Sequence, residues 1–178
     1  MGGRWYCREH EGLHLQHPRN LERLAEGIRV ENECWIYRRS SANEGPESED
    51  YLRGDYAKFY PAGTGSGTNR KGYVYDSAWP AHRALWVMLM GGTALNRQLD
   101  HLDDCTAGPR CCNPAHLQPV TEYVNKKRGV ARREVTNGKR TRTVRECGPR
   151  FNKEAAGNPE VRRFAKEYGL PLPAVIPG

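Results

Sequence analysis

The sequence predicts an α+β protein, and three observations carry that reading. Short apolar stretches of strand length recur between residues 34 and 120, separated by turn residues. One almost wholly apolar run, 81–90, follows Pro80 and stops at Gly91-Gly92, the punctuation of a buried helix. A loop dense in Cys, His and Asp lies between two strand-like stretches, 97–101 and 116–120, and a helix signal follows it directly.

The remaining elements are placed by the same rules. Asn20 is suited to cap a short helix with Leu21, Leu24, Ala25 and Ile28 as its apolar positions, and Cys34-Trp35-Ile36-Tyr37 reads as a strand. Residues 40–50 are polar and acidic with Gly45-Pro46 inside, which predicts a loop. Two short strands are expected at 56–60 and 73–76. The glycine-rich connection between them, 63–67, has no P-loop lysine in frame and no helix behind it, so it is not a phosphate cradle. Thr121 caps a helix that carries Asn125 and is expected to end at Gly129. Residues 130–157 are basic and poor in apolar side chains, which predicts extended or partly ordered chain. A last helix has Asn158 as cap, Pro159 in its first turn, Val161, Phe164, Ala165 and Tyr168 on one face, and Gly169 as stop. The Pro-rich end, 170–178, is expected to be extended. The division these signals suggest is an N-terminal segment (1–33), a central domain (34–129), and a basic arm with C-terminal helix and tail (130–178).

Composition narrows the class. The chain has 178 residues, 37% hydrophobic and 9% aromatic, enough for one domain with a core. Its longest apolar run is too short to span a membrane, and the N-terminus lacks the apolar core of an export signal. A cytoplasmic location is therefore expected, where six cysteines read as metal ligands or free thiols rather than disulfides. The net charge of +7 is concentrated in one place. Residues 126–150 hold ten Lys or Arg against two Glu, a net of +8, while the rest of the chain has 18 basic and 19 acidic residues. A charge run on its own is usually a solvated tail. Its position beside the metal-ligand loop favours contact with a phosphate backbone through Lys126, Lys127, Arg128, Arg132, Arg133, Lys139, Arg140 and Arg142.

The loop itself offers two kinds of metal chemistry. Cys105, Cys111 and His116 are spaced so that all three can face one ion. Structural zinc needs a fourth ligand, for which Cys34 at the head of its strand is the best candidate. Such a site would supply on the order of 10 kcal/mol to a segment with little apolar content. The alternative is a scatter of buried thiols. Cys112, next to Cys111, faces the other way in an extended segment and reads as a packed or free thiol. Cys7-x-x-His10 looks like half of a second zinc site, to be completed by His14, His17 or Cys147, against the alternative of exposed titrating side chains. Hydrolytic chemistry needs a base and a cation. His101 suits the base, since a neutral imidazole is available near pH 7, and Asp100 and Asn125 offer oxygens to a hard ion such as Mg²⁺. Adjacent residues of a strand point to opposite sides, so Asp100 and His101 act on one site only if the strand bends or ends there. A bare Asp-His pair is more often structural than catalytic.

Taken together, Cys34-Trp35, Ala81-His82-Arg83, Asp100-His101, Cys111-x-Asn113-Pro114-x-His116-Leu117, Pro119-Val120-Thr121 and Asn125 resemble, in order, the HNH or ββα-metal (His-Me finger) endonucleases. The chain looks most like the phage-type branch and the zinc-containing His-Cys box homing endonucleases. The resemblance covers residues 34–129. It implies a ββα-metal core with a zinc-stapled loop, additional antiparallel strands and flanking helices. It implies His101 as general base, Asn125 as ligand of the catalytic Mg²⁺-like ion and Asp100 as a second ligand of that ion. It also implies Cys34, Cys105, Cys111 and His116 as the structural zinc set, and Arg83 as a contact to the scissile phosphate. Cys105 follows His101 by four positions rather than the commoner two, with Asp103 and Asp104 in the added length and expected to be solvated. The implied activity is metal-dependent hydrolysis of double-stranded DNA, leaving 5′-phosphate and 3′-hydroxyl ends, in a homing or phage role. The corresponding location is the host cytoplasm if the chain is phage-encoded. A homodimer would suit cutting both strands, although no heptad or interface stripe is visible. The rival readings are a zinc-stabilised nucleic-acid-binding module without catalysis, and a nuclease acting on RNA or without sequence preference.

Overall fold

The computed structural model describes residues 15, 19–37, 56–61, 67–68, 74–75, 79–92 and 97–174. It is a mixed α+β architecture of small antiparallel sheets and several helices. The chain enters through α1 (Arg19–Gly27) and passes directly into a hairpin of β1 (Ile28–Glu31) and β2 (Cys34–Tyr37), with Ile28 opposite Tyr37 and Glu31 opposite Cys34. Asn20 lies inside the helix rather than capping it, and its buried amide donates to the Leu15 carbonyl. Ile28, expected on the helix, opens the strand instead. The two-residue turn places Asn32 and Glu33 at φ of 48° and 64°. A tight hairpin needs that left-handed backbone, and Asn accepts it readily while Glu does not.

Two pairs of short strands follow: β3 (Lys58–Phe59) with β6 (Trp79–Pro80), and β4 (Gly67–Thr68) with β5 (Val74–Tyr75). From β6 the chain turns at once into α2 (Ala81–Met90), whose first amide donates to the Ala57 carbonyl at 2.7 Å. Gly91 ends this helix at φ 80°, donating back to the Val87 carbonyl. The main core gathers around α2. Leu24, Ile28, Trp35, Phe59, Val161, Phe164 and Ala165 share one hydrophobic cluster with Ala84, Leu85 and Leu89.

The second hairpin is β7 (Gln98–His101) with β8 (Leu117–Val120), antiparallel, with His101 opposite Leu117 and Gln98 opposite Val120. Leu99 and Leu117 bury one face of it against Trp86 of α2 and Ala155. Between the strands, residues 102–116 form a loop with two short 3₁₀ turns, Gly108–Arg110 and Pro114–His116. The hairpin leads into α3 (Glu122–Thr136), where the Thr121 hydroxyl accepts from the Val124 amide. α4 (Val144–Cys147), α5 (Lys153–Gly157) and α6 (Pro159–Glu167) complete the fold, and Asn158 caps α6 by accepting from Glu160 and Val161.

Two expectations are corrected here. α3 runs seven residues past Gly129, and 16 of the 28 residues in 130–157 are helical rather than extended. A helical glycine costs only about 1 kcal/mol, and Arg128 and Arg132 on either side of Gly129 are fastened to the hairpin. Contacts also cross both boundaries suggested by the sequence: α1 packs on α2, Arg132 pairs with Asp100, and the Trp35 indole donates to the Pro171 carbonyl at 2.8 Å. Among the described residues no helix is long and apolar enough to cross a membrane.

Candidate metal centre and catalytic face

β2 and the 102–116 loop meet edge to edge. Ile36 forms a bridge with Cys111, the Cys112 amide donates to the Trp35 carbonyl at 2.8 Å, and the Asn113 carboxamide donates to the Glu33 carbonyl at 3.3 Å. This docking delivers Cys34, at the start of β2, to the side chains of Cys105, Cys111 and His116. The four ligand atoms lie within 4.8 Å of one another. Cys34 Sγ is 4.0 Å from Cys105 Sγ, and the Nδ1 of His116 is 3.6 Å from both Cys34 Sγ and Cys111 Sγ. Zinc bonds of about 2.3 Å to sulfur and 2.0–2.1 Å to nitrogen give a tetrahedron with edges of about 3.8 Å between sulfurs and about 3.6 Å between sulfur and nitrogen. The cluster therefore has the dimensions to hold a metal such as zinc. Cys105 reaches it despite the longer gap after His101, because the loop turns back on itself with the Cys105 amide on the Leu102 carbonyl.

The surroundings fit a structural site. Cys34, Cys111 and His116 are buried, and the Asn113 amide donates to Cys111 Sγ at 3.4 Å, the kind of contact that steadies a thiolate. Asn113 also accepts from the Ala115 amide, which shapes the turn presenting His116. Without a cation three close thiols cannot all ionise. Hydrogen bonds from Cys105 and Cys111 hold the Cys34 thiol well below the ordinary range, while Cys105 and Cys34, with burial behind them, push Cys111 up. A dication removes that conflict. Cys112 is no part of the cluster: its Sγ turns away to the Trp35 carbonyl at 3.2 Å, and burial raises its pKa. Cys7, His10, His14 and His17 lie outside the described residues. Cys147 is buried, and its carbonyl accepts from Arg132.

The two faces of β7 differ sharply. Asp100, 2% exposed, points toward α3. Its carboxylate receives Arg132 in bidentate fashion, at 2.7 and 2.8 Å, and Arg128 at 3.2 Å. Arg132 continues to Asp103 at 2.7 Å, Arg142 also pairs with Asp103, and Arg150 pairs with Asp104 at 2.8 Å. Burial works against the Arg132 charge, but the Asp100 and Asp103 carboxylates outweigh it and raise its pKa. Gly148 lets this cluster close: at φ 88°, a Cβ there would sit 3.0 Å from the Arg128 guanidinium. Asp103 and Asp104 are thus ion-paired rather than solvated.

This arrangement bears on two expectations. Asp100 does not fit as ligand of a catalytic cation, because both its oxygens are taken by guanidinium groups whose charge opposes an ion. Asn125, in the second turn of α3, is nearer to fitting. Its amide nitrogen donates to Gln98 at 2.7 Å, which leaves the amide oxygen for an ion. The expected DNA-contacting set divides likewise. Arg128, Arg132 and Arg142 are part-buried in the carboxylate cluster, Arg140 pairs with Glu134 and Glu146, and Lys126 pairs with Glu122. Lys127, Arg133 and Lys139 are exposed and make no ion pair with a described residue.

His101 points the other way, toward α2. Its Nε2 lies 3.1 Å from the Cys111 carbonyl. A carbonyl only accepts, so Nε2 carries the proton and Nδ1 of the neutral ring carries the free lone pair. Burial lowers the His101 pKa, with the Cys111 hydrogen bond and Asp100 partly opposing the shift. The ring therefore stays neutral at physiological pH and its other nitrogen can accept a proton. Arg83, in the first turn of α2, donates to the Arg97 carbonyl at 3.3 Å. Two residues beside His101 received no role from the sequence. His82 and Tyr56 stack at 4.7 Å, and their centroids lie 5.4 and 6.2 Å from the His101 ring. The signals for His82 were its place at the head of an otherwise apolar helix and in the Ala81-His82-Arg83 element, neither of which gave it a role, and Tyr56 carried none. The chain matches no family model, no curated protein and no solved structure.

Proposed function

We propose that this chain is a metal-dependent DNA endonuclease of the HNH, ββα-metal type, in which β7, the zinc-binding loop, β8 and α3 form the catalytic unit. The observation that carries the reading is the state of His101. Its Nε2 is fixed on the carbonyl of a metal-ligand residue, which leaves Nδ1 as the basic nitrogen, and burial favours the neutral ring. In the proposed reaction Nδ1 takes a proton from water, the hydroxide attacks phosphorus, and the bond to the 3′ oxygen breaks; that oxygen takes a proton from a second water, leaving a 5′-phosphate and a 3′-hydroxyl. The Cys₃His cluster, loaded with zinc, keeps the Cys111 carbonyl in place. A hard cation of the Mg²⁺ class would have the Asn125 amide oxygen as its protein ligand, keep most of its waters, and stabilise charge on the phosphate and the leaving oxygen. Lys127, Arg133 and Lys139 would follow the backbone of double-stranded DNA, and Arg83 would lie near the scissile phosphate. Homing and phage roles both agree with this chemistry, as does a homodimer cutting both strands.

The test is plasmid nicking by zinc-loaded protein in Mg²⁺, with His101→Ala as control. Cleavage that vanishes in the variant supports the reading. A second reading is favoured by one observation, the occupation of Asp100 by two arginines: a zinc-stabilised nucleic-acid-binding module without catalysis. DNA binding with stoichiometric zinc, but without cleavage in Mg²⁺, Mn²⁺ or Ca²⁺, would select it.

A further inference from the structure

A single hydrogen bond does not orient an imidazole. The contact from Nε2 to the Cys111 carbonyl is one bond, and a turn of the ring about χ2 breaks it, lets either nitrogen carry the proton and moves Nδ1 out of place. A second contact must fix the plane. The Tyr56–His82 pair is placed to supply it. His82 is 8% exposed and sits in the first turn of α2, the helix around which the main core is built. Tyr56 lies two residues before β3, which pairs with β6, the strand leading into that helix. The Ala81 amide bonded to the Ala57 carbonyl ties the two segments together immediately beside both rings. The Tyr56 and His82 rings are nearly parallel, 23° apart, and the His101 ring leans on them at 31° and 47°.

We propose that His82 is a positioning residue for His101, fixing by ring contact, with Tyr56 behind it, the plane in which the His101 Nδ1 faces the reacting water. The inference rests on the nuclease reading for its catalytic meaning, while the orientation itself can be measured without it. Two further features agree. Burial, with His101 and Arg83 contributing, pushes the His82 pKa down to about 3, so the flanking ring places no charge beside a base that must itself become cationic. The His82 Nδ1 is buried without a hydrogen-bond partner among the described residues, a costly arrangement that isolates the ring face as the useful part of the side chain. Tyr56 remains 48% exposed, so it closes the outer side of the pocket without burying it.

The experiment combines the ¹⁵N ring shifts of His101 at pH 7.5 with nicking kinetics, on zinc-loaded protein. In His82→Ala the His101 shifts should move from one tautomer toward the average of two. The kcat should fall by about 10–100-fold, while KM for DNA and zinc content stay unchanged. His82→Phe keeps a ring and should restore a single tautomer and a kcat within about threefold of wild type. Tyr56→Ala, altered at an exposed ring, provides a variant that does not disturb the core, and should move the shifts in the same direction by less. Wild-type tautomer and kcat in His82→Ala would overturn the proposal. So would a folded, zinc-replete His82→Phe as slow as His82→Ala, since a nitrogen and not the ring face would then be at work. If the wild-type protein nicks no DNA, the nuclease reading fails, and the tautomer measurement still decides the positioning role.

Discussion

Asp100 and His101 are neighbours on one strand and live in opposite environments. Asp100 is buried among guanidinium groups and fastens α3 to the hairpin. His101 is half-buried among uncharged rings, with a carbonyl on one nitrogen and the other left basic. The strand's alternation creates this difference, and the helices behind each face maintain it: α3 brings arginines to one side and α2 an aromatic pocket to the other. A cluster of opposite charges with its hydrogen bonds satisfied holds parts together. A pocket that excludes charge keeps a base neutral and ready. A motif that reads as one catalytic pair is therefore divided here: Asp100 is scaffold, and only His101 is left for the chemistry we propose.

The division can be broken in steps, beginning with the frame that both faces share. Removing zinc with a strong chelator, or replacing Cys111 with Ser, should unfold the 102–116 loop, since binding of this kind supplies on the order of 10 kcal/mol. Metal content and thermal melting before and after chelation check it, and a melt that does not change would count against a structural metal. Next in size is Asp100→Ala, which leaves Arg132 and Arg128 part-buried without their carboxylate and should destabilise the fold by about 3 kcal/mol or more in urea unfolding. His101→Ala should change stability far less. Equal losses in the two variants would erase the proposed contrast.

A pH series sharpens the aromatic side. With its pKa at about 3 in the folded state and about 6.5 when unfolded, His82 binds a proton only in the unfolded chain between those values. Its contribution is thus fully present above pH 6.5 and is lost as pH falls toward 3, at up to about 1.4 kcal/mol per unit. His82→Phe should lose less stability than wild type from pH 6.5 to 5, with zinc effects common to both cancelling. Parallel curves would show that His82 is not held neutral. The smallest effect belongs to the basic helix surface. Lys127→Ala, Arg133→Ala or Lys139→Ala should each lower the slope of log affinity for DNA against log salt by about one. Lys126→Ala, whose partner is Glu122, should change it less.

Much of this plan is legible in the sequence where local rules decide. Pro80 with Gly91 bounds α2, Asn158 with Pro159 opens α6, and Thr121 starts α3, each through backbone chemistry that needs no distant partner. The Cys₃His set is also legible, because Cys and His at suitable spacing have few other uses together, and Cys34 is delivered by the bridge between Ile36 and Cys111. The β1–β2 hairpin was not legible, since its turn uses Glu33 where a glycine would have marked it. Nor was the length of α3: Gly129 looks like a stop until Arg128 and Arg132 are seen gripping Asp100. That carboxylate also hid its own role, because an Asp before a His reads as a metal ligand until arginines from thirty residues downstream arrive to claim it. Tyr56 and His82 meet His101 only through tertiary packing, which no local pattern announces.

The most direct measurement is nicking of supercoiled plasmid under single turnover, by zinc-loaded wild type, Asp100→Asn and His101→Ala at matched protein and Mg²⁺ concentrations. The central claim predicts cleavage by wild type, its loss in His101→Ala with zinc content and melting unchanged, and residual cleavage in Asp100→Asn in proportion to the protein that remains folded. Cleavage by His101→Ala at the wild-type rate, or no cleavage by wild type with any divalent cation, would contradict it.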